Sequence, residues 1–421
     1  MREMKDSGFD WIGKTPSNWR FLKGKYIFKQ RNSKGNTRNL ELLSPSQKFG
    51  VIPQSLLEEM TTQNVVKVKE DTDLMSFKTI HKGDFCISLR SFQGGFEYSR
   101  YEGVVSSAYQ VFYPYVEIFD GYYRYLFKDT SFIEKMNSYT ISFRDGKNIA
   151  FSDFGNTYIP YPPVEEQRKI ANYLDDKCTE IEGLIAAIQA QIDTLEQYKR
   201  SQIAEAVTKG LASNEHFKES GLAWIGDIPN HWKVMPNKHL MKKLKLIQPV
   251  YAGEDIISLT VNGVIKRDLE NPTGKMPTSF DGYQFVYPGN LLMCLFDIDV
   301  TPRCIGLIKD FGLTSPAYSQ FVLNSKADAG YYYYYYLNLD FNKDLLHLAK
   351  NQRHSLNEEQ FGAIPTVVPP IDEQKAIAAY LDEKCAEIDG CIAAKKEQIS
   401  TLEAYKKSVI FEYVTGKKEV E

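Results

Sequence analysis

Between Val164 and Thr208 the apolar positions Leu174, Cys178, Ile181, Ile185, Ile188, Ile192 and Leu195 step alternately by four and by three. The same stepping returns in Leu381, Cys385, Ile388, Ile392, Ile399 and Leu402, with Lys395 standing where the first series has Ile188. A spacing that averages 3.5 residues keeps one narrow stripe turned toward a partner helix, so each segment predicts a long helix with a coiled-coil seam. Pro163 and Pro370 stand where these helices start. Glu165-Glu166 and Asp372-Glu373 follow in the first turn, where the positive end of the helix dipole favours them. No proline interrupts either segment for about 45 residues, or roughly 65 Å of helix.

The stretches 20–160 and 233–367 carry a different pattern. Short runs rich in Tyr, Phe, Val and Ile alternate with Gly and Pro turn signals, which predicts mixed α/β units with much strand. The whole arrangement occurs twice. SGFDWIGKTPSNW (7–19) and SGLAWIGDIPNHW (220–232) agree at seven of thirteen positions, and YPPVEEQRKIANYLDDKC (161–178) matches VPPIDEQKAIAAYLDEKC (368–385). A period of about 210 residues is far beyond solenoid repeats, so the chain is a duplicated domain unit. The fold class predicted is α+β: two mixed α/β domains separated by two long antiparallel helices that form a coiled coil, in a pseudo-two-fold cyclic repeat. The divisions expected are 1–160 (first domain, with the 7–19 segment), 161–210 (first helix), 211–367 (second domain, with 220–232) and 368–421 (second helix).

The chain path sets the pairing. The first helix leads from one globular unit to the other, and the second must return to bury its seam, so they run antiparallel. The expected shape is a rod with a globule at each end. The segment 7–19 then lies beside the end of the second helix, 400 residues away in sequence, and its Trp and Pro act as packing anchors.

Composition narrows the function classes. Val164–Thr208 holds nine acidic and five basic residues and Ile371–Thr415 nine and six. The net charge of −3 is therefore parked in the helices, and the remainder is net basic. No run of eighteen apolar residues is present, and the polar start is unlike a signal peptide. The six Cys form no CxxC pair, which fits reduced, mostly buried thiols in a cytoplasmic protein. No Walker loop, HExxH, GxSxG, EF-hand or [ND]PP[YF] motif occurs, the six His are scattered, and no metal site or catalytic residue is assigned. Asp175-Asp176-Lys177 and Asp382-Glu383-Lys384 look like nuclease fragments, but beside a heptad seam they read as helix-surface charges.

The two domains keep a framework and vary its loops. KGDFCISLRSFQGGFEYSRYEGVVSSAYQVF (82–112) corresponds to PGNLLMCLFDIDVTPRCIGLIKDFGLTSPAYSQFVL (288–323): strand, exposed loop, strand, then Ser-x-Ala-Tyr. This suits a pair of recognition modules reading two half-sites of DNA in opposite orientation. The candidate DNA contacts are Arg90, Ser91, Gln93, Tyr98, Arg100, Arg144 and Lys147 in the first domain. In the second they are Asp297, Asp299, Thr301, Arg303, Gln352, Arg353 and His354. Arg pairs bidentately with guanine and Gln with adenine, while nearby cations hold phosphates. Arg144 and Arg353 recur at matched places. Tyr331–Tyr336 is expected to pack in the core rather than stack on bases. The acidic net charge leaves a second reading open, a coiled-coil adaptor with two ligand-binding globules.

The WIG-x-x-P-x-x-W segment before each domain, PP-[VI]-[ED]-EQ-x-x-I-A-x-Y-L-D after each, and the domain–helix–domain–helix order resemble the specificity subunits of type I restriction–modification enzymes. The resemblance implies two target-recognition domains and no active site. It further implies a bipartite, asymmetric double-stranded DNA site, two methyltransferase subunits and translocase/nuclease subunits as partners, and no membrane. S-adenosylmethionine, ATP and Mg2+ would sit on those partners, with no cofactor in this chain. The seam residues of the two helices would then fix module spacing and offer docking surfaces.

Overall fold

The computed structural model describes residues 2–420 apart from 36–39, 62–73, 89–94, 140–148, 213–215, 273, 275 and 350–352. Both heptad segments are single helices, Val164–Lys209 and Ile371–Val414. The chain divides into two units: Met1–Ile188 with Glu397–Glu421, and Gln189–Lys396. Each unit holds one globular part and one half of each long helix. Within each, the two half-helices run antiparallel. In the first unit Tyr173 packs on Tyr413 at 4.4 Å between ring centroids, and Glu182 pairs with Lys406. In the second, Gln191 accepts from Lys395 at 2.5 Å, Lys199 pairs with Asp389 at 2.6 Å and Gln202 accepts from Tyr380 at 2.8 Å. The seam is as the spacing predicts. Leu174, Cys178, Ile181 and Ile192, with Leu381, Cys385, Ile388 and Ile392, are buried, and Ile185, Ile188, Leu195, Ile399 and Leu402 are half-buried.

The globular part of the first unit is built on a four-stranded antiparallel sheet in the order Phe28–Arg31, Gln110–Pro114, Phe85–Ile87, Phe96–Tyr98. Alternation along the strands splits its core in two. Phe28, Phe85, Phe96 and Phe112 face Tyr122, Tyr123, Phe127 and Phe132 and the half-helices. Cys86 and Val111 face a small cluster with Leu43, Val51, Ile80 and Val105. The second unit repeats the plan with the order Met241–Leu244, Ser319–Leu323, Leu291–Met293, Ile305–Leu307. Its large core includes Tyr331, Tyr332, Tyr334, Tyr335 and Tyr336 of the helix Ala329–Phe341, all buried, so the tyrosine run packs inside as expected.

Matched hydrogen bonds attach each globular part to its half-helices. A helix leaves its last four carbonyls without intrahelical partners. The buried Tyr122 hydroxyl donates to Val414 O at 2.6 Å, and Tyr331 donates to Val207 O at 2.9 Å. The neighbouring tyrosines hold the strand before each helix: Tyr123 donates to Pro160 O and Tyr332 to Val367 O, both at 3.1 Å. The glutamine of the EQ motif is a strut. Gln167, fully buried, donates to Pro162 O and accepts from Phe119 N; Gln374 donates to Pro369 O and Lys326 O and accepts from Asp328 N. The DDK and DEK carboxylates belong to this attachment. Asp175 accepts from Tyr125 and pairs with Arg124, and Asp382 accepts from Tyr334 at 2.7 Å.

The WIG segments close the opposite helix ends. Gly210 and Gly416 follow the two long helices in left-handed conformation, with φ of 77° and 75°, as glycine at a helix C-terminus commonly does. Trp232 packs on Gly210 and Trp19 on Gly416. Trp11 packs into the core that contains Val409, Ile410, Tyr413 and Val414, and Lys417 Nζ donates to Ile12 O at 2.7 Å. The expected placement of the N-terminal segment beside the end of the second helix therefore holds. The copies differ in one detail. Trp232 Nε1 donates to Glu373 at 2.9 Å, whereas the matched Glu166 pairs with Arg2, whose guanidinium lies 5.5 Å from the Trp19 ring centroid. Among the described residues Trp19 Nε1 has no acceptor.

The first unit also buries the carboxylate of an ion pair. Glu97 is 1% exposed and accepts from Lys128 at 2.6 Å, but its other carboxyl oxygen has no partner among the described residues. Burial raises its pKa to about 7, against the Lys128 charge that lowers it. Burial likewise raises Asp129, which caps the helix Thr130–Asn137, to about 6.

Two predictions follow from these contacts. A Cβ at position 416 would sit 2.5 Å from Pro16 Cδ, while one at 210 would meet Trp232 at 3.2 Å. Both substitutions carry the left-handed cost of about 1–2 kcal/mol, so Gly416→Ala is expected to lower the thermal midpoint more than Gly210→Ala. Equal shifts in a calorimetric scan would mean that the Pro16 contact adds nothing. The second concerns pH. A carboxyl whose folded pKa is raised holds its proton more tightly folded than unfolded, so stability falls as pH rises from about 4.5 through 7. Glu97→Gln should flatten the pH dependence of urea unfolding of the first unit between pH 5 and 8; an unchanged slope would assign it elsewhere.

Candidate nucleic-acid interface

In each unit the variable segments leave from one end of the central sheet. In the first, Ser88 N donates to Gly95 O at 2.8 Å and closes the neck of the loop between the strands Phe85–Ile87 and Phe96–Tyr98. At the same end, the Gln110 side chain donates to Ile149 O and accepts from Phe151 N, which ties down the chain after 148. Strand direction thus brings Ser88, Gly95 and Ile149, the described residues that flank these two stretches, to one edge. Arg90, Ser91, Gln93, Arg144 and Lys147 lie outside the described residues. Arg100 is exposed. Tyr98 is half-buried against the aromatic core, and its hydroxyl donates to Asp120, so it braces the strand against the following helix. Burial first, and then the Asp120 bond, push its phenol above the ordinary range.

In the second unit the corresponding hairpin is fully described. Its strands extend to Cys294 and Cys304, where Cys294 N donates to Cys304 O at 2.8 Å. Beyond that neck, Leu295–Ile298 lies alongside Arg353–Leu356. Asp297 N donates to Arg353 O at 3.1 Å, Ile298 N to His354 O at 3.3 Å, and Leu356 N to Leu295 O at 2.8 Å. The structure therefore brings together Asp297, Asp299, Arg353 and His354, although more than fifty residues separate the two stretches in sequence. His354 Nδ1 lies 2.9 Å from Asp299 Oδ2, and this bond holds the Asp299 carboxyl below its usual range. Asp297 and His354 both have positive φ, 47° and 43°, an arrangement that non-glycine residues adopt at a cost and mostly where function requires it. Gln352 lies outside the described residues.

Arg303 and Thr301 make contacts within the hairpin base. Arg303 Nε donates to Ile305 O at 3.0 Å, Nη1 to Val261 O at 3.1 Å and Nη2 to the Tyr333 hydroxyl at 2.5 Å. Three of the five N–H donors of the guanidinium are thus spent on bracing the hairpin base. Thr301 is half-buried; its carbonyl accepts from Lys343 Nζ at 2.6 Å, and its hydroxyl faces Cys294 Sγ. Lys343 also pairs with the buried Asp340, which accepts from Cys304 N. Sequence reading missed this Asp340–Lys343 support. Its only signal was a charged pair three residues apart at the end of the tyrosine-rich helix. Among the described residues no group of His, Cys, Asp and Glu could hold a metal ion, and no helix is long and apolar enough to cross a membrane.

The edge geometry gives each unit a rigid sheet that presents exchangeable loops, and comparisons with known proteins bear on what such loops read. Residues 16–194 match the family described as type I restriction modification DNA specificity domain. The type I restriction enzyme MjaVIII specificity subunit of Methanocaldococcus jannaschii is 28% identical over 285 residues, 63% of this chain and 63% of that protein. The match thus spans less than two thirds of the relative's length. A chain from a structural study of complex assembly and conformational transition of the type I R-M system superposes with a TM-score of 0.70 at 13% identity, covering 96% of this chain and 99% of that one. The HsdS subunit from Thermoanaerobacter tengcongensis gives 0.50 at 15% identity, with 98% and 100% covered. Residues 16–194 are thus similar to the type I restriction modification DNA specificity domain, and the chain as a whole has the fold of the HsdS subunit, a likeness in line with the repeated sequence motifs.

Proposed function

We propose that this chain is the non-catalytic specificity subunit of a type I restriction–modification complex. Each globular unit reads one half-site of a bipartite, asymmetric double-stranded DNA sequence. The observation that carries this reading is the duplicated edge: two copies of one framework, braced by the same Tyr, Gln and Asp contacts, each presenting loops that differ in sequence and length. A framework held constant under divergent loops is what two different half-sites demand. Double-stranded DNA offers its pseudo-two-fold to such a pair. Methyltransferase subunits, two in number, dock on the long helices, and translocase/nuclease subunits complete the restriction enzyme. The chemistry belongs to those partners, which would hold S-adenosylmethionine, ATP and Mg2+; this chain supplies position. The place of work is the prokaryotic cytoplasm, where the target DNA is.

The test is retention of genomic fragments by the full chain with its methyltransferase partner. Sequence-selective binding that weakens steeply with salt is expected, since Lys and Arg contacts to phosphates release counterions. Absence of salt-dependent, sequence-selective retention would reject the reading and favour the adaptor, which does not bind DNA. A second outcome concerns spacing. The helix Val164–Lys209 is unbroken and carries residues of both units. Inserting four residues, about one turn, in its middle should change the spacer length selected while leaving both half-sites intact. A change in half-site bases, seen by mapping methylated adenines, would mean that the helix does not set the spacing.

A further inference from the structure

The tip of the hairpin in the second unit has a feature that neither packing nor the framework explains. Val300 is 73% exposed, the most exposed large apolar side chain among the described residues. It sits at the apex of a tight turn in which Val300 N and Thr301 N both donate to Asp297 O, at 3.2 and 2.9 Å. Such apexes ordinarily carry Gly, Asn, Asp or Ser. The turn is held from below. Ile298 is buried, Lys343 Nζ holds Thr301 O, and the Asp297 and Ile298 amides are fixed on the Arg353 and His354 carbonyls. Its two anchoring residues, Asp297 and His354, both take left-handed backbone, which few non-glycine residues adopt. A molecule that only needed to close a hairpin would use glycine here and bury its valine elsewhere.

The imidazole beside the turn is oriented as well. An ionised carboxylate can only accept, so Asp299 Oδ2 at 2.9 Å places the proton of the neutral ring on His354 Nδ1. That leaves Nε2 as an acceptor. An exposed methyl pair and an oriented acceptor, on one strapped turn, match what the major groove displays at A·T pairs. Thymine offers a C5-methyl group and adenine an N6 amine.

Resting on the DNA-reading function proposed above, we propose that Val300 and His354 form the base-reading tip of the second unit. Val300 packs on a thymine C5-methyl group in the major groove, and His354 Nε2 accepts from the N6 amine of an adenine in the same or the adjacent pair. Asp299 acts as a positioning residue through His354, and Arg303 and Lys343 keep the turn at its height.

The test uses the full chain with its methyltransferase partner. Selection from a randomised duplex library first defines both half-sites. Duplexes are then made with each thymine replaced, one at a time, by deoxyuridine, which removes only the methyl group. Loss of one buried methyl is worth about 0.8 kcal/mol, or roughly fourfold in affinity. Wild type should lose about that much at one thymine of the second unit's half-site. Val300→Ala should bind the thymine duplex that much more weakly and no longer distinguish it from deoxyuridine, with an unchanged thermal midpoint and an unchanged first half-site. His354→Asn, which tolerates left-handed backbone, should relax the preference at one adenine of the same half-site while the thymine discrimination stays. If Val300→Ala separates thymine from deoxyuridine as well as wild type at every position, the tip does not read a methyl group and the proposal falls while the DNA-reading function stands. If no sequence is selected by the wild-type complex, that function itself falls, and this inference with it.

Discussion

A helix of 46 residues with an apolar stripe one residue wide cannot stay alone in water, and everything else here follows from how its stripe and its two ends are covered. The stripe is met by half of a second helix of the same design. The ends are harder, because four carbonyls at each C-terminus point away from the helix and must not be buried unpaired. Tyr122 and Tyr331 resolve this by donating from the core of each globular part to Val414 O and Val207 O. A buried phenol without an acceptor costs about 1–3 kcal/mol, and a buried carbonyl without a donor a similar amount, so each bond removes two penalties together. The globular part is thereby fixed to a helix end in a single orientation. Gln167 and Gln374 do the same at the helix starts, where side-chain and main-chain groups of three segments meet.

This explains which parts of the sequence could be read and which could not. The helices, their antiparallel sense and the placement of Trp11 were legible, because heptad spacing and chain continuity are geometric statements that need no side-chain detail. The packing of Tyr331–Tyr336 in the core, with only Tyr333 left half-buried, was legible from composition. The role of the EQ glutamine was visible as a repeated motif but not as a strut, since its partners, Phe119 N and Asp328 N, lie some 46–48 residues away and carry no signature of their own. Asp175 and Asp382 were correctly placed on the helix surface, yet their contacts with Tyr125 and Tyr334 depend on how the globular part seats, which pattern alone does not encode.

The loops were legible only as loops. Divergence between the copies marked 89–94 and 295–303 as the variable edge, and residue type then nominated every arginine and polar group within them. Type is a poor guide inside a short hairpin, because a side chain near the neck is as able to satisfy its own backbone as to reach outward. Arg303 shows this. It is two residues from Ile305, whose carbonyl it takes, and its remaining nitrogens find Val261 O and Tyr333. Tyr98 shows it in the first unit, where its hydroxyl goes to Asp120 of the following helix. In both cases the competing demand was an acceptor within the domain, and that demand prevailed.

What distinguishes the outward residues is the backbone beneath them. Asp297 and His354 take left-handed conformations that the hairpin does not need for closure, and they do so on facing segments joined by main-chain bonds. Strain of that kind persists only where the surroundings over-determine it. Here the surroundings are the Cys294–Cys304 neck, the buried Ile298 and the Asp340–Lys343 pair, all inside the framework. The framework is therefore more than a support for exchangeable loops: it supplies the rigidity that lets a four-residue turn hold an apolar side chain in water. Loops could diverge between the two copies because the tyrosine, glutamine and aspartate contacts below them did not.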